Sequence, residues 1–239
     1  MQAVLSLLFL SILIFCVWSG YKKGLIAGVF SLIAFVISVY GANLLSQTYS
    51  GEVVDALRPF ASGFVEVNVV DKTVRPTMGI DSSNLSVKDF FAQNPGRETE
   101  FCTLTYEGMG IHAATSEQLA GEAVAYASEN SVELMDAIVE ILCRRTSYVG
   151  GFILAFVMIL ILLTVIGNIP NISFQIPGHQ MLSDIGGAVT GLIQGLAFCL
   201  IIGWALRFVG LLIPLETLSN TFLVSWFMDR SIFVHLLGI

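Results

Sequence analysis

Apolar positions in this chain come in long unbroken runs rather than in short alternations. Residues 1–20, 25–50, 146–180 and 185–206 carry no charged side chain. An apolar helix of about 20 residues spans the roughly 30 Å hydrocarbon core of a bilayer. In lipid such a run must be helical, because its backbone N–H and C=O groups have no other partner. The pattern predicts an all-α integral membrane protein with four transmembrane helices, at 3–19, 25–45, 148–166 and 185–206. The first two would form a hairpin over a tight turn at Tyr21, Lys22 and Lys23, with Trp18 and Tyr21 in an interfacial aromatic belt. A cleaved secretory leader is the weaker reading, since the lysines follow the first apolar run instead of preceding it.

The pattern changes between residues 46 and 147. Pro59, Pro76 and Pro95 fall here, and turn residues cluster around Gly79, Ser82 and Asn94. Residues 51–60 can be helical, and 71–112 read as loop with one or two short elements, one at 87–93. A helix is expected to begin near Thr115, where Gln118 completes a capping-box spacing. Glu129, Glu133, Asp136 and Glu140 then recur on one face, and Val132, Met135, Ile138, Val139 and Leu142 on the other. The acidic face reads as solvated, and the helix leads into the third span. After Pro214 and Glu216, residues 214–239 are expected as a C-terminal interfacial helix with Phe222, Trp226 and Phe233 toward lipid. A fifth span at 218–237 is the alternative. The connection at 169–177 should lie along the membrane surface. Four segments result: a first transmembrane hairpin at 1–45, an acidic extramembrane insertion at 46–147, a second hairpin at 148–213 and the interfacial segment at 214–239.

Composition sharpens this picture. The chain is 55% hydrophobic and 12% charged, against about 25% charged for an ordinary soluble domain. The net charge of −7 is segregated: 15 of the 18 Asp and Glu residues lie between Glu52 and Glu140. No basic surface suggests a nucleic-acid partner. The Lys22-Lys23 pair sits in the shortest connection, where the positive-inside rule is most informative. That places the first turn in the cytoplasm and residues 46–147 outside, in a multi-pass protein of the cytoplasmic membrane. Arg144 and Arg145 stand against this assignment.

Candidate chemistry is sparse. His112, His179 and His235 lack ligand-spaced partners, and there is no P-loop, G-x-S-x-G or H-E-x-x-H motif. No catalytic, metal or cofactor-binding residues are expected, and the chain does not read as an enzyme. Cys16 and Cys199 read as packing residues; Cys102 and Cys143 could pair outside the cytoplasm. The densest signal is in the fourth span. Ser183 and Asp184 precede it as an N-cap pair, with Asp184 expected to complement the positive end of the helix. Gly187, Gly191 and Gly195 then form a stripe four residues apart, which lets another helix approach closely. Gly24 and Gly28 repeat the spacing in the second span. Gln194, deep in the span, calls for a partner on another helix.

Two stretches together resemble the colicin V production protein (CvpA) family of bacterial inner-membrane proteins. One is the glycine-flanked basic turn Gly20-Tyr21-Lys22-Lys23-Gly24. The other is Leu182-Ser183-Asp184 followed by the stripe Gly187, Gly191, Gly195. The chain departs from the family in having lysines where arginine is usual in the turn, Ile185 where a basic residue often follows the aspartate, and the long insertion at 46–147. The resemblance implies an integral membrane protein accessory to bacteriocin (toxin) production or export, that is secretion, and to envelope homeostasis. It supplies no biochemical activity. A small oligomeric transporter or channel is the alternative function. Expected partners are the lipid bilayer and either further copies of the chain, as a homo-oligomer, or a component of a secretion machinery.

Overall fold

The computed structural model describes residues 2–79, 89–91, 94, 96–168, 180–208 and 227, and every element among them is helical. The order is α1 (Gln2–Phe64), a π-helical segment (Val65–Val74), α2 (Arg75–Met78), α3 (Glu98–Gly108), α4 (Ala113–Asn130), α5 (Leu134–Asn168) and α6 (Gln180–Leu206). The chain divides into two compact units. One comprises Met1–Thr48, Gly150–Leu206 and Glu216–Ile239; the other comprises Tyr49–Val149 and Arg207–Leu215. The expected interfacial connection at 169–177 and the C-terminal helix lie outside the described residues, apart from Phe227.

Three helices are long and apolar enough to cross a membrane, Leu5–Lys72, Leu134–Gly167 and Met181–Leu206. Four were expected, and the difference has a local cause. Within α1 the helix is interrupted at Gly24, at φ 79° and ψ 172°, a backbone region that is essentially restricted to glycine. The contacts on either side show what this does. Phe9 and Phe35 are separated by 26 residues, or about 39 Å along a straight helix. Yet the Phe9 carbonyl lies 4.0 Å from the Cys199 sulfur, and the Phe35 ring sits 4.9 Å from that of Phe198. The two arms of α1 therefore fold back on each other at Gly24. The turn is one glycine, not the Tyr21-Lys22-Lys23 bend that was expected; those residues stay helical.

The first unit is packed around these arms. Residues 2–23 run antiparallel to α6, and 25–35 run parallel to it. A Cβ on Gly151 would sit 3.3 Å from the Ser46 hydroxyl, and one on Gly41 3.0 Å from Ile159, which sets α5 antiparallel to the second arm. Phe35 meets Phe156 edge-on at 5.4 Å, and Phe152 meets Trp204 at 5.4 Å, geometries that the aromatic quadrupole favours. Phe227 packs against Phe9 at 5.6 Å. Outward-facing Leu7, Ile14, Phe15, Phe30, Val36, Leu154 and Met158 are exposed, an apolar surface that lipid satisfies and water does not.

The second unit is not the loop-rich stretch that its turn residues suggested. It has a core that includes Val54, Val65, Val69, Val70, Val74, Phe101, Tyr106, Leu119 and Ile138. The four valines at 65, 69, 70 and 74 are buried, and their spacing of four to five residues suits the wider turn of a π-helix better than a 3.6-residue period. Tyr106 donates its hydroxyl proton to the Ile138 carbonyl at 3.1 Å. Of the short helix expected at 87–93, Asp89–Phe91 is helical and the rest lies outside the described residues. α3 was not foreseen.

Two further expectations are corrected here. α4 begins at Ala113, and His112 precedes it without a side-chain cap. The Thr115 and Ser116 N–H groups bond to the His112 carbonyl instead, so Thr115 is inside the helix and no capping box forms. The continuous acidic helix also breaks, because Ser131 is left-handed at φ 54° and ends α4. Glu129, Glu133 and Asp136 are exposed, but Glu140 is buried. Its carboxylate accepts from Arg58 and, at 2.8 Å, from Arg144. Arg145 pairs with Glu122 at 2.6 Å.

Candidate functional site in the glycine joint

The two stretches singled out in the sequence meet in the first unit. They pack through two neighbouring stripes of α6, each stepping by four residues. Ser183, Gly187, Gly191 and Gly195 face Gly24, Gly20, Cys16 and Leu13 in descending order. Gly186, Thr190, Gln194 and Phe198 face Leu25, Gly28, Ser31 and Phe35 in ascending order. Residues four apart lie on one helix face, so α6 seats in the cleft of the hairpin.

The first stripe is a backbone-to-backbone contact. A methyl group on Gly20 would collide with the Gly187 carbonyl oxygen and lie 2.9 Å from the Gly191 Cα. One on Gly187 would lie 2.8 Å from the Gly24 carbonyl carbon, and one on Gly191 would strike the Cys16 carbonyl. Glycine is required here by space, as it is at Gly24 by conformation. Gly195 is looser, with its nearest neighbours at 3.1 Å from Cys16 and 3.3 Å from Leu13.

The second stripe carries the polar groups. Ser31 donates to the Gln194 side-chain oxygen at 2.9 Å, the kind of interhelical partner that a glutamine in a span requires. Thr190 donates to the Gly187 carbonyl at 2.9 Å and packs where a Gly28 side chain would be. Ser183 accepts from the Leu25 N–H at 3.4 Å, a donor freed by the break at Gly24. Beside these groups lies a cavity of about 140 Å³. Ser19, Lys23, Ser31 and Gln194 supply its polar lining, with Cys16 and Phe15 beside them. A space of this size holds a few waters.

Not every candidate residue joins the site. Lys23 lines the cavity, whereas the Lys22 ammonium lies 4.1 Å over the Trp18 ring. Asp184 does not cap α6, because the helix starts at Gln180; it sits one turn in, half-buried. Ser31 and Thr190 were missed, and Ser183, read with Asp184 as a cap pair, instead bonds the hairpin. Ser183 stands four residues before Gly187, and that continuation of the glycine spacing was the available signal.

The four cysteines are all free thiols. Cys102 and Cys143 are buried and unpaired with each other, and Cys16 and Cys199 are free thiols among packed helices. Among the described residues, no three His, Cys, Asp or Glu side chains converge as a metal site.

No protein-family model, no curated protein and no solved structure matches the chain.

Proposed function

We propose that the chain crosses the cytoplasmic membrane four times and serves as an accessory scaffold for bacteriocin or toxin export and envelope homeostasis, without catalysis of its own. One observation carries this reading: the two motifs that resemble the colicin V production family, about 160 residues apart, pack against each other backbone to backbone. A backbone contact with no room for a methyl group suits a framework more than a moving part. The reversal at Gly24 supports counting α1 as two crossings. With Lys22 and Lys23 cytoplasmic, residues 46–147 are extracytoplasmic and available to a secretion-machinery partner or to another copy of the chain. The test is a deletion strain assayed for toxin export and envelope stress, complemented with wild type or with Gly191→Leu. Full complementation by a Gly191→Leu protein that accumulates normally would defeat the reading.

A second reading rests on the polar cavity. A polar cavity lined by Ser19, Ser31 and Gln194 between helices suits a short segment of a conduit, which a small oligomeric transporter or channel would complete. Flux of small ions or solutes in proteoliposomes, lost on Gln194→Leu, would favour it over the scaffold.

A further inference from the structure

The second unit contains a groove of about 840 Å³, inside the range of ligand-binding sites. It is lined by residues of α1, the π-helical segment, α2, α3, α4 and α5. Its apolar lining includes Phe91, Val124, Leu134, Met135 and Val139. Among the described residues its charged lining is one-sided: Glu66, Glu98, Glu133 and Asp136, against one cation, Arg75. Arg75 is already engaged by Asp71 at 3.1 Å. Ser62, Ser128 and Ser131 add hydroxyls.

We infer that this groove binds a short basic peptide segment whose lysines or arginines alternate with apolar side chains. The apolar lining asks for an amphipathic ligand, since burying a purely hydrophilic one would leave that surface without gain. The sign of the charges asks for a cation. Their distribution asks for several cationic groups. The carboxylates come from three elements, the π-helical segment, α3 and α5, with Glu133 just before α5, and among the described residues no three acidic groups converge as a metal site. A single inorganic cation would therefore be met by at most two of these carboxylates, whereas a peptide presents a charge every second residue along an extended chain. The inference does not depend on the orientation of the unit in the membrane.

The experiment uses the full chain in nanodiscs of neutral lipid. A fluorescein-labelled peptide of alternating lysine and leucine is titrated and read by fluorescence anisotropy. The groove variant Glu66→Gln/Glu98→Gln/Asp136→Asn is compared with Glu107→Gln/Glu117→Gln/Glu129→Gln, which removes the same charge from exposed positions outside the groove. Thermal unfolding confirms that both are folded. The expected result is at least tenfold weaker binding for the groove variant and less than twofold for the other. A peptide with serine in place of leucine should also bind at least tenfold more weakly. Equal loss in the two variants would reduce the effect to general electrostatics and overturn the inference. So would equal binding of the serine peptide, or absence of binding at millimolar peptide. Tighter binding of a simple tetraalkylammonium ion than of the peptide would likewise overturn it.

Discussion

Replacing glycine by alanine inside a helix normally helps, by up to about 1 kcal/mol, because alanine has the better helix propensity. At the joint the sign should reverse. A methyl group on Gly20 or Gly191 meets backbone carbonyl and Cα atoms, which cannot swing aside as a flexible side chain can. The helices must separate instead, and Gly20, Gly187 and Gly191 lose contact together. Overpacking of this kind costs about 1–3 kcal/mol, so after a propensity gain of about 1 kcal/mol is subtracted the net destabilisation at each position reaches up to about 2 kcal/mol. Gly150 and Gly167 are the controls: they lie in the same unit, and an added Cβ meets nothing within 4 Å. Equilibrium unfolding in mixed detergent micelles should show Gly20→Ala and Gly191→Ala destabilised, and Gly150→Ala and Gly167→Ala neutral or stabilised. Gly191→Leu should exceed Gly191→Ala, while Leu192→Ala, on the exposed face, should be milder. The reasoning fails if joint and control glycines respond alike.

Other outcomes follow from individual contacts. Gly24→Ala should cost about 1–3 kcal/mol through backbone strain alone, visible as lowered thermal stability in detergent even though its neighbours are side-chain atoms. In the second unit, the side chains of Arg58 and Arg144 are each 53% exposed while that of Glu140 is 10% exposed. Removing both arginines strands a buried carboxylate and should cost about 3–5 kcal/mol. Glu140→Ala leaves two cations that water can reach and should cost only about 1–2 kcal/mol, a ranking that unfolding of the two variants would check. The Cys102 thiol is pushed up to about 12 by burial, with Glu98 adding to it. Its protonated form is therefore favoured by folding: the contribution to stability is intact below pH 9 and is lost as the pH rises toward 12. Alkylation of Cys102 at pH 8 should be slow in the native protein and fast in denaturant, and rapid native labelling would contradict the burial.

Much of the first unit was legible because lipid imposes a simple rule. Runs without charge had to be helices, glycines four apart had to admit a close neighbour, and Gln194 had to find a partner. Which segment would fill each role was not legible. Gly20 and Gly187, or Ser31 and Gln194, are brought together only by tertiary packing. The second unit hid more. The valines from 65 to 74 follow a π spacing that matches no common template, and α3 is a short helix of mixed polarity among turn residues. Glu140 continued an acidic periodicity that is otherwise exposed. The break at Ser131 and the approach of Arg58 from another helix, neither visible locally, put that one carboxylate inside. Asp184 looked like a cap because it precedes the glycine stripe, but the helix begins a turn earlier.

The account stands or falls on the reversal at Gly24 and the four crossings proposed from it. The most direct measurement is labelling of single cysteines in an otherwise cysteine-free chain, with a membrane-impermeant maleimide, in sealed inside-out and right-side-out vesicles. Lys22→Cys should label only from the cytoplasmic face, and Glu107→Cys only from the opposite face. Labelling of both positions from one face, or protection of Lys22→Cys from both, would contradict it.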